Sequence, residues 1–282
     1  MNATWTVGDI TALMESWYPK EWAESWDRVG LILGRQNAPI RKVLLAVDPV
    51  RAVVDQACAN NVDMVITHHP LLIKGVSFLP EDDPKGSVVA ELIRHDIALF
   101  NAHTNADCAP TGVAQALADL LGLCDAQPFT VVTHDDGGNP VGLGRIGRIE
   151  PTTLGAFADK VAQALPAGPT GLLVAGDEGQ TITTIAVSGG SGDSFLDDAR
   201  RLGADAYLTA DLRHHPASEH VEAGKPALLS ASHWATEWPW LPVLAQRLRE
   251  EAHLQNVDLD VEVSTIVTEP WNSHRPTSGG NA

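Results

Sequence analysis

Apolar and polar residues along the first half of the chain form blocks that fit strands and helices in turn. Continuous apolar runs predict buried strands, and the amphipathic segments between them predict helices. Thr111 is a residue type that often caps a helix start, and we expect it to do so here. Such alternation is typical of a parallel sheet covered on both faces. The strands are predicted at 42–47, 62–67 and 97–101, and the helices at 51–60, 86–95 and 111–121.

A second run of strands and helices follows a cluster of turn-forming residues at 133–140. Its first segment, 141–149, carries glycines at positions where a ligand or another backbone could come close. The predicted strands of this half are 141–149, 170–174, 183–187, 206–209, 226–230 and 257–267, and the predicted helices are 152–164, 193–202, 213–223 and 235–252.

The pattern predicts the α/β fold class, arranged as two α/β lobes. We expect the first lobe at 1–125 and the second at 126–235. Residues 236–270 are expected to form a C-terminal helix and strand that return to the first lobe, and the tail 271–282 to be disordered. At roughly 150 residues per domain, 282 residues suffice for two such units.

Charge and composition exclude several classes of protein. The chain has 19 Lys and Arg against 36 Asp and Glu, a formal net charge of -17. This balance argues against a binder of duplex nucleic acid or of an anionic membrane surface, because both need a basic face. No apolar window approaches the ~18 residues of a membrane span, and we expect no signal peptide. The 3 cysteines have no metal-type spacing and cannot all pair, which favours a reducing cytoplasm.

Polar residues follow five of the predicted strands directly. In open α/β sheets, ligands bind outside the carboxyl ends of the strands, so these positions are candidates for a functional site. The five strand ends carry His68-His69, the segment 103–107, the glycine turn 188–192, the segment 211–215, and the segment 233–237.

Three of these strand ends offer imidazole and carboxylate ligands. Singly, each has an ordinary explanation: 103–107 could be a hydrogen-bonded turn, and His233 with Glu237 could be a surface pair one helical turn apart. All three together predict a metal site, and their chemistry suits Zn, Fe, Mn, Ni or Co. Because five ligands exceed a four-coordinate zinc set, we expect two divalent ions per chain.

Other polar features of the strand ends have alternatives of similar weight. The glycine turn could present backbone N–H groups to an anion, or could be only a tight turn into the next helix. His214 and His215 could support a ligand or face the substrate, or could lie in a plain surface turn. Cys108 has no cysteine partner and is interpreted as a small buried apolar residue.

Seven motifs carry a family resemblance: WDRVGLILG at 26–34, ITHHPL at 66–71, HTNAD at 103–107, GLGRIG at 142–147, GGSG at 189–192, LTAD at 208–211 and HWATE at 233–237. In this order they resemble the motifs of the Nif-three-like family of dinuclear-metal proteins, whose members are often named GTP cyclohydrolase type 2 homologues. They span most of the chain and together are highly specific. Two positions depart from the family pattern: Ala210 stands where a glycine is expected, and Arg28 where asparagine is common.

The resemblance implies two lobes with the metals between them and a ring-shaped hexamer. Some family members carry an inserted domain, but residues 127–140 of this chain are at most a loop. The resemblance also implies a set of metal ligands, taken from the His-His-Pro, His-Thr-x-x-Asp and His-x3-Glu motifs. They are His68, His69, Asp107, His233 and Glu237, the same five that the strand-end pattern selects.

Two function hypotheses follow. The first is a metal-dependent hydrolase of a small nucleotide-like or phosphate-bearing substrate, with GTP cyclohydrolase activity as one version and His103 as the proton-transfer group. The second is a non-catalytic metal-handling or metal-dependent regulatory protein, since convergent ligands serve storage or delivery equally well. A weaker third is a scaffold whose ring binds another protein. We also expect a homo-oligomer. Trp238-Pro239-Trp240 could serve as an exposed interface anchor, although packing in the core is the favoured interpretation of these tryptophans.

Overall fold

A computed structural model describes residues 3–277 and shows a mixed α/β fold, which confirms the predicted class. The strands are β1 (Trp5–Thr6), β2 (Gly30–Leu33), β3 (Pro39–Ile40), β4 (Lys42–Ala46), β5 (Met64–Thr67), β6 (Ala98–Asn101), β7 (Cys124–Gln127), β8 (Thr130–His134), β9 (Pro140–Leu143), β10 (Arg145–Thr153), β11 (Leu173–Ala175), β12 (Thr181–Ser191), β13 (Ala206–Ala210), β14 (Ala227–Ala231) and β15 (Asp260–Val263).

Helices connect most of these strands, and short 3-10 turns lie at Lys20–Trp22 and Asp193–Phe195. The α-helices are α1 (Val7–Trp17), α2 (Arg51–Ala59), α3 (Pro84–Arg94), α4 (Thr104–Cys108), α5 (Val113–Leu120), α6 (Leu154–Ala164), α7 (Leu196–Arg201), α8 (His214–Glu222), α9 (His233–Glu237) and α10 (Trp240–Leu254).

The first sheet has the strand order β15-β4-β5-β6-β2. Its first four strands are parallel, and β2 closes the edge antiparallel to β6. Successive side chains of a strand point to opposite faces. Accordingly, Val43 and Leu45 pack with α1 and α10, whereas Leu44 packs with α2 and α3. Helices therefore cover both faces, as the continuous apolar strands predict.

The second sheet has the order β11-β14-β13-β12-β10-β7. Its centre, β12 to β14, is parallel, and its outer strands are antiparallel to their neighbours. The carboxyl ends of its parallel strands carry the second set of candidate residues. The division of the chain into domains at residues 125, 235 and 270 stays a prediction.

Helix α5 packs into both cores. Val113 and Ala116 contact the core of the first sheet, while Leu117 and Ala118 contact that of the second. Buried Arg145 adds a polar connection between the two halves. Its guanidinium donates to Gln115 Oε1 on α5 and to three backbone carbonyls, of Ala109, Gly142 and Gly144, at 2.6–2.8 Å.

Several local predictions were wrong. Thr111 does not cap a helix: α5 begins at Val113, and the Thr111 hydroxyl accepts a hydrogen bond from Arg247 instead. The helix predicted at 235–252 is two helices, α9 and α10, separated at Pro239, which has no N–H to continue the ladder. Residues 127–140 are more than a loop, because β8 pairs with β9 there. The last strand is shorter than predicted.

The tryptophans at the start of α10 lie in the core rather than at an exposed surface. Trp240 is fully buried and donates to the Tyr18 hydroxyl, and partly buried Trp238 donates to the carbonyl of Ser264. The structure thus confirms the core packing that the sequence favours for these tryptophans, and the exposed interface anchor at 238–240 is wrong. In the tail, 271–277 form no helix or strand, and 278–282 lie outside the described residues.

Of the helices within residues 3–277, none is long and apolar enough to cross a membrane.

We expect Arg145→Ala to destabilise the protein by roughly 1–3 kcal/mol, because buried carbonyls would lose their charged donor. Chemical denaturation of the variant measures this loss. Arg148→Ala is the matched control, since Arg148 lies on the same strand and is exposed. Equal stability of the two variants would contradict the assigned role of Arg145.

Candidate metal centre

The five predicted ligands come from strand ends of both sheets. His68 and His69 follow β5 directly, and Asp107 lies on α4, the helix after β6. His233 and Glu237 are the first and last residues of α9, which follows β14. The structure brings all five together: the three histidines lie around the buried Glu237 carboxylate, and Asp107 lies beside His68.

Distances within this cluster are short. The Glu237 oxygens lie 3.0 Å from His233 Nε2, 3.1 Å from His69 Nε2 and 3.4 Å from His68 Nε2. The Nε2 atoms of His69 and His233 are 3.3 Å apart. Asp107 is more distant, with Oδ1 3.7 Å from His68 Nε2. One helical turn brings His233 and Glu237 to the same face of α9.

In each of the three histidines, Nδ1 is on the side away from Glu237 and lies beside an oxygen atom. His68 Nδ1 lies 3.0 Å from the carbonyl of Ala102, which can only accept a hydrogen bond. His69 Nδ1 lies 2.7 Å from Asp48, and His233 Nδ1 lies 2.7 Å from Asp211. Nδ1 therefore carries the proton in the neutral ring, and the Nε2 lone pair faces inward, as in histidines that bind metals.

This arrangement fits a cation and little else. Inward lone pairs facing one another and a carboxylate repel unless a positive charge lies between them. Within residues 3–277, His68 Nε2 and Glu237 Oε2 are buried without a hydrogen-bond partner, which is costly for polar atoms. In this cluster, the ligand atoms of His68, His69 and His103 lie within 4.8 Å of one another. The same holds for those of His69, His233 and Glu237.

These two sets of ligand atoms differ from the roles predicted for His103 and Asp107. His103, predicted as the proton-transfer group, lies within ligand distance of His68 and His69. Asp107, predicted as a ligand, belongs to neither set among the described residues, although its carboxylate faces His68. Imidazole nitrogens and carboxylate oxygens are the donors that Zn, Fe, Mn, Ni and Co accept. The identity and number of ions stay predictions.

The pKa values of the cluster follow from burial and mutual charge. Burial lowers the pKa of His233, but the charge of Glu237 and hydrogen bonds to Glu237 and Asp211 raise it to about 9. Burial would raise the pKa of Glu237, yet the charges of His69, His68 and His233 hold it well below its usual value. In the absence of metal, protons on the histidines take the place of cations.

His103 has its own carboxylate partner, which the sequence did not reveal. Its Nδ1 lies 3.0 Å from Oδ1 of buried Asp27, and Thr104 donates to the other oxygen through its N–H and its hydroxyl. Burial would raise the pKa of Asp27, but these hydrogen bonds hold it far below its usual value. Trp26, 53% exposed, packs edge-on against the His103 ring. The dyad fixes which ring nitrogen of His103 is free.

Asp48 and Asp211 also orient histidines of the cluster, and the sequence did not indicate this role for either of them. Asp48 follows β4 at the same sheet edge as His69, and that position was a usable signal. Asp211 has a left-handed backbone (φ 54), which aims its carboxylate at His233. Ala210, where a glycine was expected, lies in β13. The residue with the left-handed backbone is the next one, Asp211.

Two backbone N–H groups of the glycine turn 188–192 already have partners within the protein. Strand β12 runs through Ser191, and the Gly190 N–H donates to Thr236 while the Gly192 N–H donates to the carbonyl of Ala210. Gly190 instead gives room to the cluster, since a Cβ there would lie 2.4 Å from Glu237 Oε1. His214 and His215 are exposed at the start of α8 and outside the cluster.

A cavity of about 450 Å³ opens beside the cluster. Trp26 and Phe195 supply apolar surface, and Ser188, Ser191 and Thr130 supply polar surface. His103, Asp107, His233 and Glu237 face it as well. Cys108 is buried, as predicted for a small apolar residue, and burial raises the pKa of its thiol to about 12.

Metal-free protein should lose stability as pH rises through about 9. A raised pKa means that the protonated His233 stabilises the fold; this contribution is complete below its unfolded value of 6.5 and vanishes above about 9. Melting curves in chelator from about pH 7 to about pH 10 measure the effect. The decrease in melting temperature with rising pH should be smaller in His233→Gln. It should persist in His253→Gln, which changes an exposed residue and serves as the control. A melting temperature that is constant over this range would contradict the assignment.

Sequence comparison finds close relatives of this chain. A Streptomyces coelicolor protein named GTP cyclohydrolase 1 type 2 homolog is 48% identical over 273 residues, covering 95% of each chain. A Mycobacterium tuberculosis protein of the same name is 31% identical over 381 aligned positions, with 98% of this chain and 99% of that protein covered. The second alignment is longer than this chain, so that relative carries inserted segments.

Solved structures share the fold. The crystal structure of a Staphylococcus aureus hypothetical protein superposes with a TM-score of 0.88 at 28% identity, covering 96% of this chain and 100% of that one. The profile of one protein family matches residues 5–270, nearly the whole chain. The chain therefore belongs to the Duf34/NIF3 (NGG1p interacting factor 3) family.

Proposed function

We propose that this protein is a dinuclear metal-dependent hydrolase of a small nucleotide-like or phosphate-bearing substrate. The observation that carries the proposal is the set of inward Nε2 lone pairs around Glu237 at the wall of a substrate-sized cavity. Its ligands would be His68, His69, Asp107, His233 and Glu237, and its ions two divalent cations of the Zn, Fe, Mn, Ni or Co class.

Two cations, when bound, supply Lewis acidity and lower the pKa of water. The residues of the chain do the remaining work. Asp48 and Asp211 hold His69 and His233 in one tautomer and orientation. Asp27 does the same for His103, which faces the cavity with a free ring nitrogen and can pass a proton to or from a bound substrate.

The charge of the cavity supports a substrate that meets the metal ions directly. Its lining includes Glu24, Asp107 and Glu237 and, among the described residues, holds no lysine or arginine. A phosphate group would therefore be repelled by the protein alone and attracted only by the bound cations. Trp26 and Phe195 offer faces on which a heterocyclic ring can stack.

The same charge also favours the alternative, a non-catalytic metal-handling protein. An acidic cavity with an exposed opening concentrates cations, and the net charge of -17 adds to this field. The two functions differ in turnover: a metal carrier exchanges ions with a partner but hydrolyses nothing. The homo-oligomer, its ring-shaped hexameric form and the cytoplasmic location stay predictions.

Metal content tests the ligand assignment. Asp107→Ala and Glu237→Ala should each lose at least one ion, because a carboxylate can bridge two cations whereas an imidazole binds one. Elemental analysis and melting curves measure this; at a thousandfold excess over Kd, metal should stabilise the wild type by about 4 kcal/mol. His253→Gln is the control. Two ions and unchanged melting in both carboxylate variants would show that the assigned site is wrong.

Turnover tests the hydrolase proposal. Metal-analysed protein is screened against phosphoesters and nucleotides, GTP included, and activity should disappear with chelator. His103→Gln should keep its metal while kcat falls by roughly 10²–10⁴-fold, the usual contribution of a proton-transfer group. Asp27→Asn should lower kcat less, through the His103 ring orientation. Metal-replete protein with no turnover on any substrate, but with metal release to an acceptor protein, would favour the metal-handling function.

A further inference from the structure

A second cluster of metal-ligand types lies outside the candidate centre, on the helices that cover one face of the first sheet. Cys58 is in the last turn of α2, and Glu91 and His95 are at the end of α3. One ligand atom of each residue lies within 4.8 Å of those of the other two. Glu91 and His95 are one helical turn apart and therefore share a face of α3.

The histidine of this cluster has a nitrogen available. His95 Nδ1 lies 3.0 Å from the carbonyl of Glu91, which can only accept, so the neutral ring keeps its proton on Nδ1. The Nε2 lone pair is thereby left for a ligand, while Nδ1 lies 3.8 Å from the Glu91 carboxylate. This is the same Nδ1-to-oxygen arrangement that orients His68 in the candidate centre.

The Glu91 carboxylate is only loosely held by its neighbours. Arg94 approaches Glu91 at 3.4 Å but lies 2.6 Å from Glu81. Arg51 is 3.9 Å from Glu91 and 2.7 Å from Asp55. Each arginine thus has a closer carboxylate elsewhere, and Glu91 can turn to a cation without leaving either arginine unpaired.

We propose that Cys58, Glu91 and His95 form a separate site for a zinc-class divalent cation. Thiolate, imidazole and carboxylate together match the donor set of Zn²⁺, with the fourth position open to water. On binding, the S–H bond of Cys58 breaks, a sulfur–metal bond forms, and one proton goes to solvent. The cation joins the ends of α2 and α3.

This site is independent of the candidate centre. Helices α2 and α3 begin at the sheet edge that carries Asp48 and His69 and end at the opposite edge. Strands of four or five residues, as in β5 and β4, separate the two edges by roughly 13–17 Å. Cation binding at Cys58, Glu91 and His95 therefore does not depend on the proposed hydrolase function.

Cobalt substitution tests the site in the whole chain. Co²⁺ bound by thiolate gives a charge-transfer absorption band in the near ultraviolet, whereas the five candidate-centre ligands include no sulfur. Titration with Co²⁺ in a non-thiol reductant should produce this band with one ion per chain and release of a proton. Glu237→Gln should keep the band, and Cys58→Ser should abolish it.

The remaining variants complete the test. His95→Ala changes an exposed side chain, so it should fold normally and lose or weaken the band. Cys124→Ser, which removes an exposed cysteine outside the cluster, should keep it. Turnover should be the same in Cys58→Ser as in the wild type. Absence of the band in wild type, or its persistence in Cys58→Ser, would overturn the proposal.

Discussion

The need to place positive charge beside a buried carboxylate governs the organisation of this protein. Glu237 is buried and faces three imidazoles whose outward nitrogens are hydrogen-bonded to oxygens. Without cations or protons, converging lone pairs and a negative charge would destabilise the fold. Bound metal ions would satisfy all of these atoms at once, and the chemistry of the candidate site and the stability of the surrounding structure would then depend on the same charges.

The two sheets must keep a fixed relative position for this cluster to exist. His69 belongs to the first sheet and His233 to the second, yet their Nε2 atoms are 3.3 Å apart. Helix α5 packs into both cores, and Arg145 joins α5 to the backbone around β9 and β10. Arg145 therefore helps to hold the two sheets in the relative position that brings His69 and His233 together.

Carboxylates on the outer side of the cluster orient the histidines that are candidate ligands. Asp48 and Asp211 hold the outer nitrogens of His69 and His233, and Asp27 holds that of His103. Asp48 is itself hydrogen-bonded by Thr268, so the C-terminal segment takes part in the site from the far end of the chain. The cavity then lies between oriented histidines on one side and aromatic and hydroxyl side chains on the other.

The sequence alone predicted the α/β class, most strands and helices, and five candidate ligands that the structure brings together, namely Glu237, the three histidines around it, and Asp107 beside His68. These follow from local rules: apolar runs give strands, and polar residues at strand ends meet at one edge of a sheet. Only the tertiary structure decided which carboxylate orients which histidine, that Trp240 lies in the core, and that residues 188–191 belong to strand β12. Those outcomes depend on contacts between residues far apart in the chain, such as Asp27 with His103, which no local pattern encodes.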